Sequence, residues 1–222
     1  MTSLSLQPTL AQRLQRRLRR QWGLWRLKDP AFAPLFEPPP PHEWVSLDCE
    51  TTGLNVRQDE IVSIGAVRIV GNRLMTSERL ELLVRPQRGI SPESVRIHRL
   101  RERDVAAGLS PEDAARRLLH FIGSRPLVGY YLEFDVAMLN RLVRPLLGQG
   151  LPQPQIEVSA LYYDHKFRQL MPYQQHDNAD IDLRFATLMA DLDLPLRDAH
   201  DALNDAVMAG LAFIKLRALL AR

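Results

Sequence analysis

The amino-acid sequence predicts a mixed α/β domain, and two observations lead to that prediction. Three stretches rich in β-branched and aliphatic residues follow one another through short connections after residue 42, which indicates an antiparallel meander. Beyond residue 110, segments with helical periodicity alternate with short apolar stretches. A mixed sheet covered by helices accounts for both patterns.

The meander is expected in the stretches "EWVSLDCE", "EIVSIGAVRIV" and "ERLELLVRP". The second stretch alternates and is rich in Val and Ile, as pleated strands are, and "GNR" supplies the turn into the third. A helix should follow in "SPEDAARRLLHFIG", because Ser110 is a good N-cap and Pro111 suits the first helical position.

The remainder of the domain alternates between strand and helix. Short strands are expected in "RPLVGYY" and "QIEVSA". Helices are expected in "EFDVAMLNRLVRPLL", "LYYDHKFRQLM", "DIDLRFATLMADL" and "AHDALNDAVMAGLAFIKLRALLA". The last helix has apolar rows at spacings of three and four, so it should become buried along its length.

The first 42 residues are expected to form a separate region. Residues 8–28 predict a helix with an apolar stripe, and arginines occupy its other faces. The stripe consists of Leu10, Leu14, Leu18, Trp22 and Trp25. The proline-rich "PAFAPLFEPPPPHE" that follows should be extended rather than helical. We therefore predict a basic amphipathic helix and proline-rich linker in residues 1–42 and the main domain in residues 43–222.

The composition is that of an ordinary globular protein, because 45% of the 222 residues are hydrophobic and 25% are charged. The sequence contains no run of about 18 apolar residues, which a membrane-spanning helix would need. The first residues lack the apolar core of a secretory signal. The single cysteine, Cys49, excludes an internal disulfide framework. We therefore expect a cytoplasmic protein without a transmembrane segment.

The net charge of +3 is distributed unevenly along the chain. Residues 1–41 contain seven Lys and Arg against two Asp and Glu, a net charge of +5, which leaves −2 for the remainder. The main domain therefore gives no sign of nucleic-acid binding through bulk charge.

Two acidic residues end the first predicted strand. Side chains alternate along a strand, so Asp48 and Glu50 should share one face while Cys49 points the other way. Neighbouring carboxylates repel each other, and burying one alone is costly. A solvated strand end avoids that cost, and so does a bound divalent cation, which prefers oxygen ligands. The pair by itself leaves both interpretations open.

Three further residues in the second half of the chain could take part in chemistry. Asp135 lies at the start of a predicted helix, where an acid often complements the helix dipole. His200 lies at the start of the last helix, where a capping or hydrogen-bonded histidine is common. Asp205 heads an apolar row of that helix, so it is harder to interpret as a solvated charge.

Taken in order, these motifs resemble those of the DnaQ-like 3′–5′ exonucleases of the DEDDh type, a family that includes the proofreading epsilon subunit of bacterial DNA polymerase III and stand-alone relatives. The resemblance covers roughly residues 43–216. Its motifs are "LDCETTGL", "EIVSIGAVRI", "IHRL", "FD" and "HDALNDA".

The resemblance implies an RNase H-like fold, in which a five-stranded mixed sheet, an antiparallel meander followed by parallel strands, is flanked by helices. It implies two divalent cations, Mg²⁺ or Mn²⁺, held by Asp48, Glu50, Asp135 and Asp205, with His200 as general base. Two metals can activate a water and relieve charge on the leaving oxygen. The expected reaction is hydrolysis at 3′ ends of mainly single-stranded DNA, which releases nucleoside 5′-monophosphates.

The same resemblance implies contacts to the 3′-terminal nucleotide. Without the resemblance, the Thr-Thr-Gly run could be a simple strand exit and the histidine an ordinary loop residue. The implied contacts are Thr51, Thr52, Gly53, Leu54, Glu93 and His98.

Three positions depart from the family pattern. Tyr130 and Tyr131 occupy positions where the family often has His-Asn, and they could stack on a base instead. Asp201 replaces a residue that is often basic, and an extra acid there would weaken attraction for phosphate.

Two other functions stay open at this point. The substrate could be RNA ends, since no sequence feature settles the choice of sugar. The chain could also be a non-catalytic, polymerase-accessory or nucleic-acid-binding module, although such modules usually lack one of the acids and all are present here.

The role of the N-terminal helix is also open. It could clamp a nucleic-acid backbone, lie on a membrane surface, or recruit a protein partner. We favour packing of its stripe on the body or on a second copy, or docking of a partner.

Overall fold

The structure, a computed structural model, describes residues 10–175, 180–197 and 200–221. Two 3₁₀ helices lie at Pro30–Phe36 and Pro172–Gln174. Within the described ranges, none of the helices is both long enough and apolar enough to cross a membrane. The α-helices and strands in chain order are α1 (Leu10–Arg26), β1 (Glu43–Thr51), β2 (Ile61–Val70), β3 (Arg73–Leu83), α2 (Pro92–His98), α3 (Glu102–Val105), α4 (Pro111–Ile122), β4 (Leu127–Gly129), α5 (Leu132–Leu147), β5 (Gln155–Glu157), α6 (Val158–Phe167), α7 (Phe185–Asp191) and α8 (Ala202–Leu220).

The five strands form one mixed sheet in the order β3-β2-β1-β4-β5. The pairs β1–β2 and β2–β3 are antiparallel, whereas β4 runs parallel to β1 and β5 runs parallel to β4. The predicted meander followed by parallel strands is therefore confirmed, and so is the mixed, helix-flanked sheet.

Helices cover both faces of the sheet. Leu47 and Cys49 of β1 belong to the core that α4 and α5 complete on one face, and the alternate residue Ser46 lies against Gly210 of α8 on the other. The second core is formed mainly by α6, α7 and α8. Because side chains alternate, Asp48 and Glu50 point to the α8 side and Cys49 to the opposite core, as the sequence predicts.

Several helix boundaries differ from the sequence-based expectation, and two of them affect neighbouring elements. The helix α6 begins at Val158, inside the stretch expected to be strand, so β5 has only three residues. The helix α7 begins at Phe185, whereas the sequence predicts helix from Asp180. The Asp182 carboxylate accepts hydrogen bonds from the Arg184 N–H and the Thr187 hydroxyl, which gives the backbone a local alternative to helix.

The structure of the N-terminal region differs from two expectations. The segment Pro30–Phe36 is a 3₁₀ helix rather than extended chain, and Phe32, Leu35 and Phe36 are buried in the core beside α4. The apolar stripe of α1 does not pack on the body, because Leu14, Leu18, Trp22 and Trp25 are exposed; the Leu10 side chain and residues 8–9 lie outside the described part. The expectation that the stripe packs on its own domain was therefore wrong.

Candidate active site

Four structural elements bring the predicted site residues to one edge of the sheet. The strands β1 and β4 are parallel, so their carboxyl ends lie at the same edge. β1 ends with Asp48 and Glu50, and β4 leads directly into α5, whose first turn contains Asp135. The first turn of α8 contains Asp205. The fold thus places acids from three separate parts of the sequence at the same edge.

The approach of α8 depends on Gly65. This residue pairs with Asp48 across the β1–β2 ladder. A Cβ added at Gly65 would lie 2.2 Å from the backbone of Ala202 and Leu203, at the start of α8. Only glycine therefore lets α8 begin directly on the sheet beside Asp48, and this contact sets the position of Asp205 three residues later.

The carboxylates of Asp48, Glu50 and Asp205 form a cluster in which one oxygen atom of each lies within 4.8 Å of the other two. Asp135 approaches from the opposite layer, and its Oδ1 accepts a hydrogen bond of 3.2 Å from the Cys49 N–H. An all-oxygen donor set of repelling carboxylates fits a hard divalent cation such as Mg²⁺ or Mn²⁺.

Burial and mutual repulsion raise the pKa of every acid in this group. Burial, reinforced by Asp135 and Asp205, raises the pKa of Asp48 well above its usual range. Burial and the nearby Asp205 raise the pKa of Glu50 to about 7, and burial raises the pKa of Asp135 to about 8. The pKa of Asp205 is also raised, chiefly by burial. Such shifts are concentrated at functional sites.

His200 lies at the rim of the same cluster, immediately before α8. Its backbone N–H donates a hydrogen bond of 3.0 Å to Oδ2 of Asp205, and its φ of 69° is left-handed. The exposed side chain lines the cleft above the acids. The next residue, Asp201, caps α8 by accepting from the Asn204 N–H at 2.8 Å, so this extra acid has a structural role.

The acids form the floor of an open cleft of about 460 Å³. Of the predicted substrate contacts, Thr51, Gly53, Leu54 and His98 line it. His98 is buried, and its Nδ1 accepts a hydrogen bond from the Leu100 N–H. These positions are compatible with substrate contact, which stays a prediction.

The other two predicted contacts lie outside the cleft lining. The Thr52 hydroxyl accepts a hydrogen bond from the Glu60 N–H and donates one to Asp59, so it holds the loop after β1. Glu93 is exposed on α2 and lies 4.0 Å from Arg96. Their roles as nucleotide contacts also stay predictions.

Three residues that line the cleft were not predicted from the sequence. Ser94 and Ile97 of α2 and Phe134 of α5 line it, and no sequence motif singled them out. The one available signal was the spacing of Ser94, Ile97 and His98, which places all three on one side of a short helix.

Tyr130 and Tyr131 form an aromatic pair at the opposite wall. Tyr130 is fixed, because its hydroxyl donates to the Leu183 carbonyl and its ring packs on Phe185. The Tyr131 ring lies 4.5 Å from that of Tyr130 and is 59% exposed. The Tyr131 N–H donates to Glu157, which also accepts from the N–H of Leu132. An exposed aromatic face thus lines the cleft beside the acids.

The Exonuclease family model, RNase_T, matches residues 45–213 of the chain. This chain belongs to the exonuclease family. The match covers α5 and most of β1 and α8, including all the acids at the site, and the resemblance to the DnaQ-like exonucleases is confirmed. A nuclease family whose members hydrolyse nucleic acid accounts for the carboxylate cluster.

Relatives named for DNA polymerase III share this region. A DNA polymerase III subunit epsilon-like protein of Rhodobacter capsulatus is 32% identical over 174 residues, which are 78% of this chain and 23% of that protein. The DNA polymerase III subunit epsilon of Aquifex aeolicus is 25% identical over 78% of this chain and 79% of its own length. The chain therefore spans about a quarter of the first relative.

Solved structures show the same fold. Exonuclease X in complex with 5′ overhanging duplex DNA has a TM-score of 0.60 and 26% identity, over 81% of this chain and 93% of that chain. E. coli Exonuclease I in complex with a dA16 oligonucleotide has a TM-score of 0.66 at 16% identity, over 81% of this chain and 42% of that chain. The second likeness concerns the fold alone, and it confirms the RNase H-like class.

Proposed function

We propose that this protein is a metal-dependent 3′–5′ exonuclease that hydrolyses mainly single-stranded DNA and releases nucleoside 5′-monophosphates. The observation that supports this most is the cluster of Asp48, Glu50 and Asp205 within 4.8 Å, in a chain of the exonuclease family. Carboxylates at that separation repel one another, and divalent cations relieve the repulsion.

We assign a role to each site residue, and their positions in the cleft support these roles. Asp48, Glu50, Asp135 and Asp205 would hold two divalent cations, Mg²⁺ or Mn²⁺. When bound, such cations activate water and stabilise the charge on the leaving oxygen. The His200 imidazole, at the rim of the cleft, accepts the proton of the attacking water in this proposal, because histidine is the side chain that most often takes part in such proton transfers.

The cleft walls hold the 3′-terminal nucleotide in this proposal. Leu54 and Tyr131 are exposed apolar groups on different elements, and a base can stack between such surfaces. Thr51 and His98 lie beside them and offer polar contacts.

DNA is the preferred substrate in this proposal because Exonuclease X is described in complex with DNA, and the relatives are named for a DNA polymerase. We also propose a role in DNA replication or repair, and the polymerase names of the relatives support replication. RNA ends are the alternative substrate within the same chemistry. A non-catalytic module is less favoured, because all four acids and His200 are present.

The test uses one oligodeoxynucleotide labelled at either end, with Mg²⁺ or Mn²⁺. A 3′ label should be released first as a mononucleotide, whereas a 5′ label should give a descending ladder. A 5′ overhanging duplex and an RNA of the same sequence measure the preference for strand and sugar. Asp205→Asn should remove the activity, and Asp164→Asn, an exposed acid on α6, should retain it. Release from the 5′ end, or no cation dependence, would overturn the proposal.

A further inference from the structure

The exposed face of α1 is an apolar feature that the exonuclease site does not use. Leu14, Leu18 and Trp22 are 59%, 56% and 59% exposed, and Trp25 is 82% exposed. At about 100° per residue, these four side chains fall within roughly 80° of one another around the helix. They form one continuous stripe, which we call the α1 stripe.

The opposite side of α1 is attached to the domain at its C-terminal end. A Cβ on the buried Gly23 would lie 2.5 Å from the Phe36 ring, and Leu24 and Leu27 pack on the core. The Gln149 side chain donates a hydrogen bond of 2.7 Å to the Gly23 carbonyl. The domain therefore holds the helix end in place and directs the α1 stripe away from the body.

The charges of α1 are all of one sign. Residues 10–26 contain six arginines and no Asp or Glu. Arg17 is exposed, Arg20 forms an ion pair with Glu37, and the Arg26 guanidinium lies 4.6 Å from the centre of the Trp22 ring. Two copies of α1 packed against each other would bring arginines together, so the charge disfavours that pairing.

We propose that the α1 stripe docks on an anionic lipid surface, with the helix lying in the plane of the interface. A helix with Leu and Trp on one face, arginine on the others and low overall hydrophobicity has the properties of an interfacial helix. Arginines beside the stripe would contact anionic headgroups, and tryptophans favour the boundary between headgroups and acyl chains. A nucleic-acid backbone would use the arginines but would leave the stripe uncovered.

The position of α1 leaves the exonuclease site accessible in that orientation. The α1 end is attached beside the last turn of α5, where the Asp29 N–H donates to the Leu146 carbonyl. Asp135 lies in the first turn of the same helix, roughly 16 Å away at 1.5 Å per residue. Docking through α1 therefore leaves the cleft open at the other end of α5.

The test is co-sedimentation of the full chain with vesicles of phosphatidylcholine alone or mixed with phosphatidylglycerol. Binding to the mixed vesicles is expected, with little binding to phosphatidylcholine alone. The variant Leu18→Ser/Trp25→Ser should lose this binding, whereas Met171→Ser, equally exposed elsewhere, should keep it. Arg17→Glu should weaken it by roughly fivefold or more, since each arginine contributes on that order near an anionic surface, and Arg73→Glu on β3 should not.

Three results would overturn the proposal. The first is equal binding by the wild type and the Leu18→Ser/Trp25→Ser variant. The second is a lipid-free dimer, measured by light scattering, that dissociates in this variant, because a second copy would then cover the stripe. The third is absent vesicle binding together with a shallower salt dependence of oligonucleotide affinity in Arg17→Glu, which would identify nucleic acid as the partner.

Discussion

The acidic cleft and the helix α1 differ in charge and in burial. In the cleft, acids are packed together and their pKa values are raised, which is unfavourable without cations. In α1, all charged residues are basic, and Leu and Trp are left in water. In the cleft, no Lys or Arg among the described lining residues offsets the acids, so the cleft is suited to cations. In α1 the described part of the fold does not cover the Leu and Trp side chains, so the helix is suited to an apolar surface that is also anionic.

The two regions also differ in how much function depends on one side chain. In the proposed mechanism each carboxylate of the cleft is a cation ligand, whereas along α1 several similar residues share the proposed contact. Mutations in the cleft should therefore have the larger effects, and the following predictions run from the largest effect to the smallest.

The largest effect is expected from Asp48→Ala. Nuclease activity with Mg²⁺ should fall to background, because a cation ligand is lost from the cluster. Thermal stability should not fall, because one of the repelling buried carboxylates is removed. Mononucleotide release and thermal unfolding measure the two effects. Full activity would contradict the site assignment, and unfolding of both Asp48→Ala and Asp205→Ala would favour a structural role.

Replacing His200 should have the next largest effect. His200→Ala should lower turnover by about 10²- to 10⁴-fold, the usual contribution of a positioned proton transfer. Binding of a 3′-ended oligonucleotide in Ca²⁺ should change little, because the side chain is exposed at the rim of the cleft. His165→Ala on α6 serves as the matched control. If binding and turnover fell by similar factors, His200 would be a substrate contact rather than a base.

Two deletions separate the exposed and buried parts of the N-terminal region. Removing residues 1–41 deletes the buried Phe32, Leu35 and Phe36, and each such loss costs about 2–5 kcal/mol. The melting temperature should fall by roughly 10 °C or more. Removing residues 1–21 leaves these residues and Gly23 in place, so the melting temperature should stay near that of the full chain. Equal losses in the two deletions would show that the α1 stripe stabilises the domain.

The sequence predicted the cleft better than it predicted the N-terminal region. The order of Asp48, Glu50, Asp135, His200 and Asp205 is specific, because this chemistry requires these residue types, and the structure brings the acids and the histidine to one edge. Alternation along β1 correctly predicted the shared face of Asp48 and Glu50.

Features that depend on tertiary contacts were not predictable. Periodicity identified the α1 stripe but could not show which side of the helix faces the body, since that depends on the contact between Gly23 and Phe36. The proline-rich segment was expected to be extended, yet its apolar residues become buried and favour a 3₁₀ helix. The role of Gly65 also requires the position of α8, which lies far away in the sequence.

Substituting Tyr131 tests whether this exposed aromatic residue contacts the substrate. The tryptophans of α1 are proposed to make a comparable contact with lipid. Tyr131→Ala should weaken binding of a 3′-ended oligonucleotide in Ca²⁺ by about 5- to 100-fold, because stacking on one base is worth about 1–3 kcal/mol. Tyr131→Phe should retain the affinity. The control is Tyr173→Ala, which removes a tyrosine that is also exposed. Unchanged affinity in Tyr131→Ala would exclude stacking.

The smallest effect is expected in the pH dependence of stability without added metal. Unfolded Asp and Glu titrate near about 4, whereas the pKa of Glu50 is raised to about 7 and that of Asp135 to about 8 in the fold. Between about pH 4 and pH 8 the folded protein therefore binds more protons than the unfolded chain. The contribution of these two groups to the free energy of unfolding is greatest below about pH 4, and it decreases as the pH rises towards 8.

Thermal unfolding at pH 5 and pH 8 tests this, with and without Mg²⁺. The melting temperature of the metal-free protein should fall between these values, by roughly 2–4 °C for each 1 kcal/mol of stability lost at this size. Mg²⁺ should raise it more at pH 8, where the carboxylates are ionised. In Asp48→Ala, which has less repulsion between carboxylates, both the pH dependence and the Mg²⁺ effect should be smaller. Comparing this variant with the wild type removes the contribution of other titrating groups, which both proteins share. One such group is the buried His98, whose pKa is lowered by burial. Identical pH profiles in the two proteins would show that the acidic cluster does not destabilise the metal-free fold.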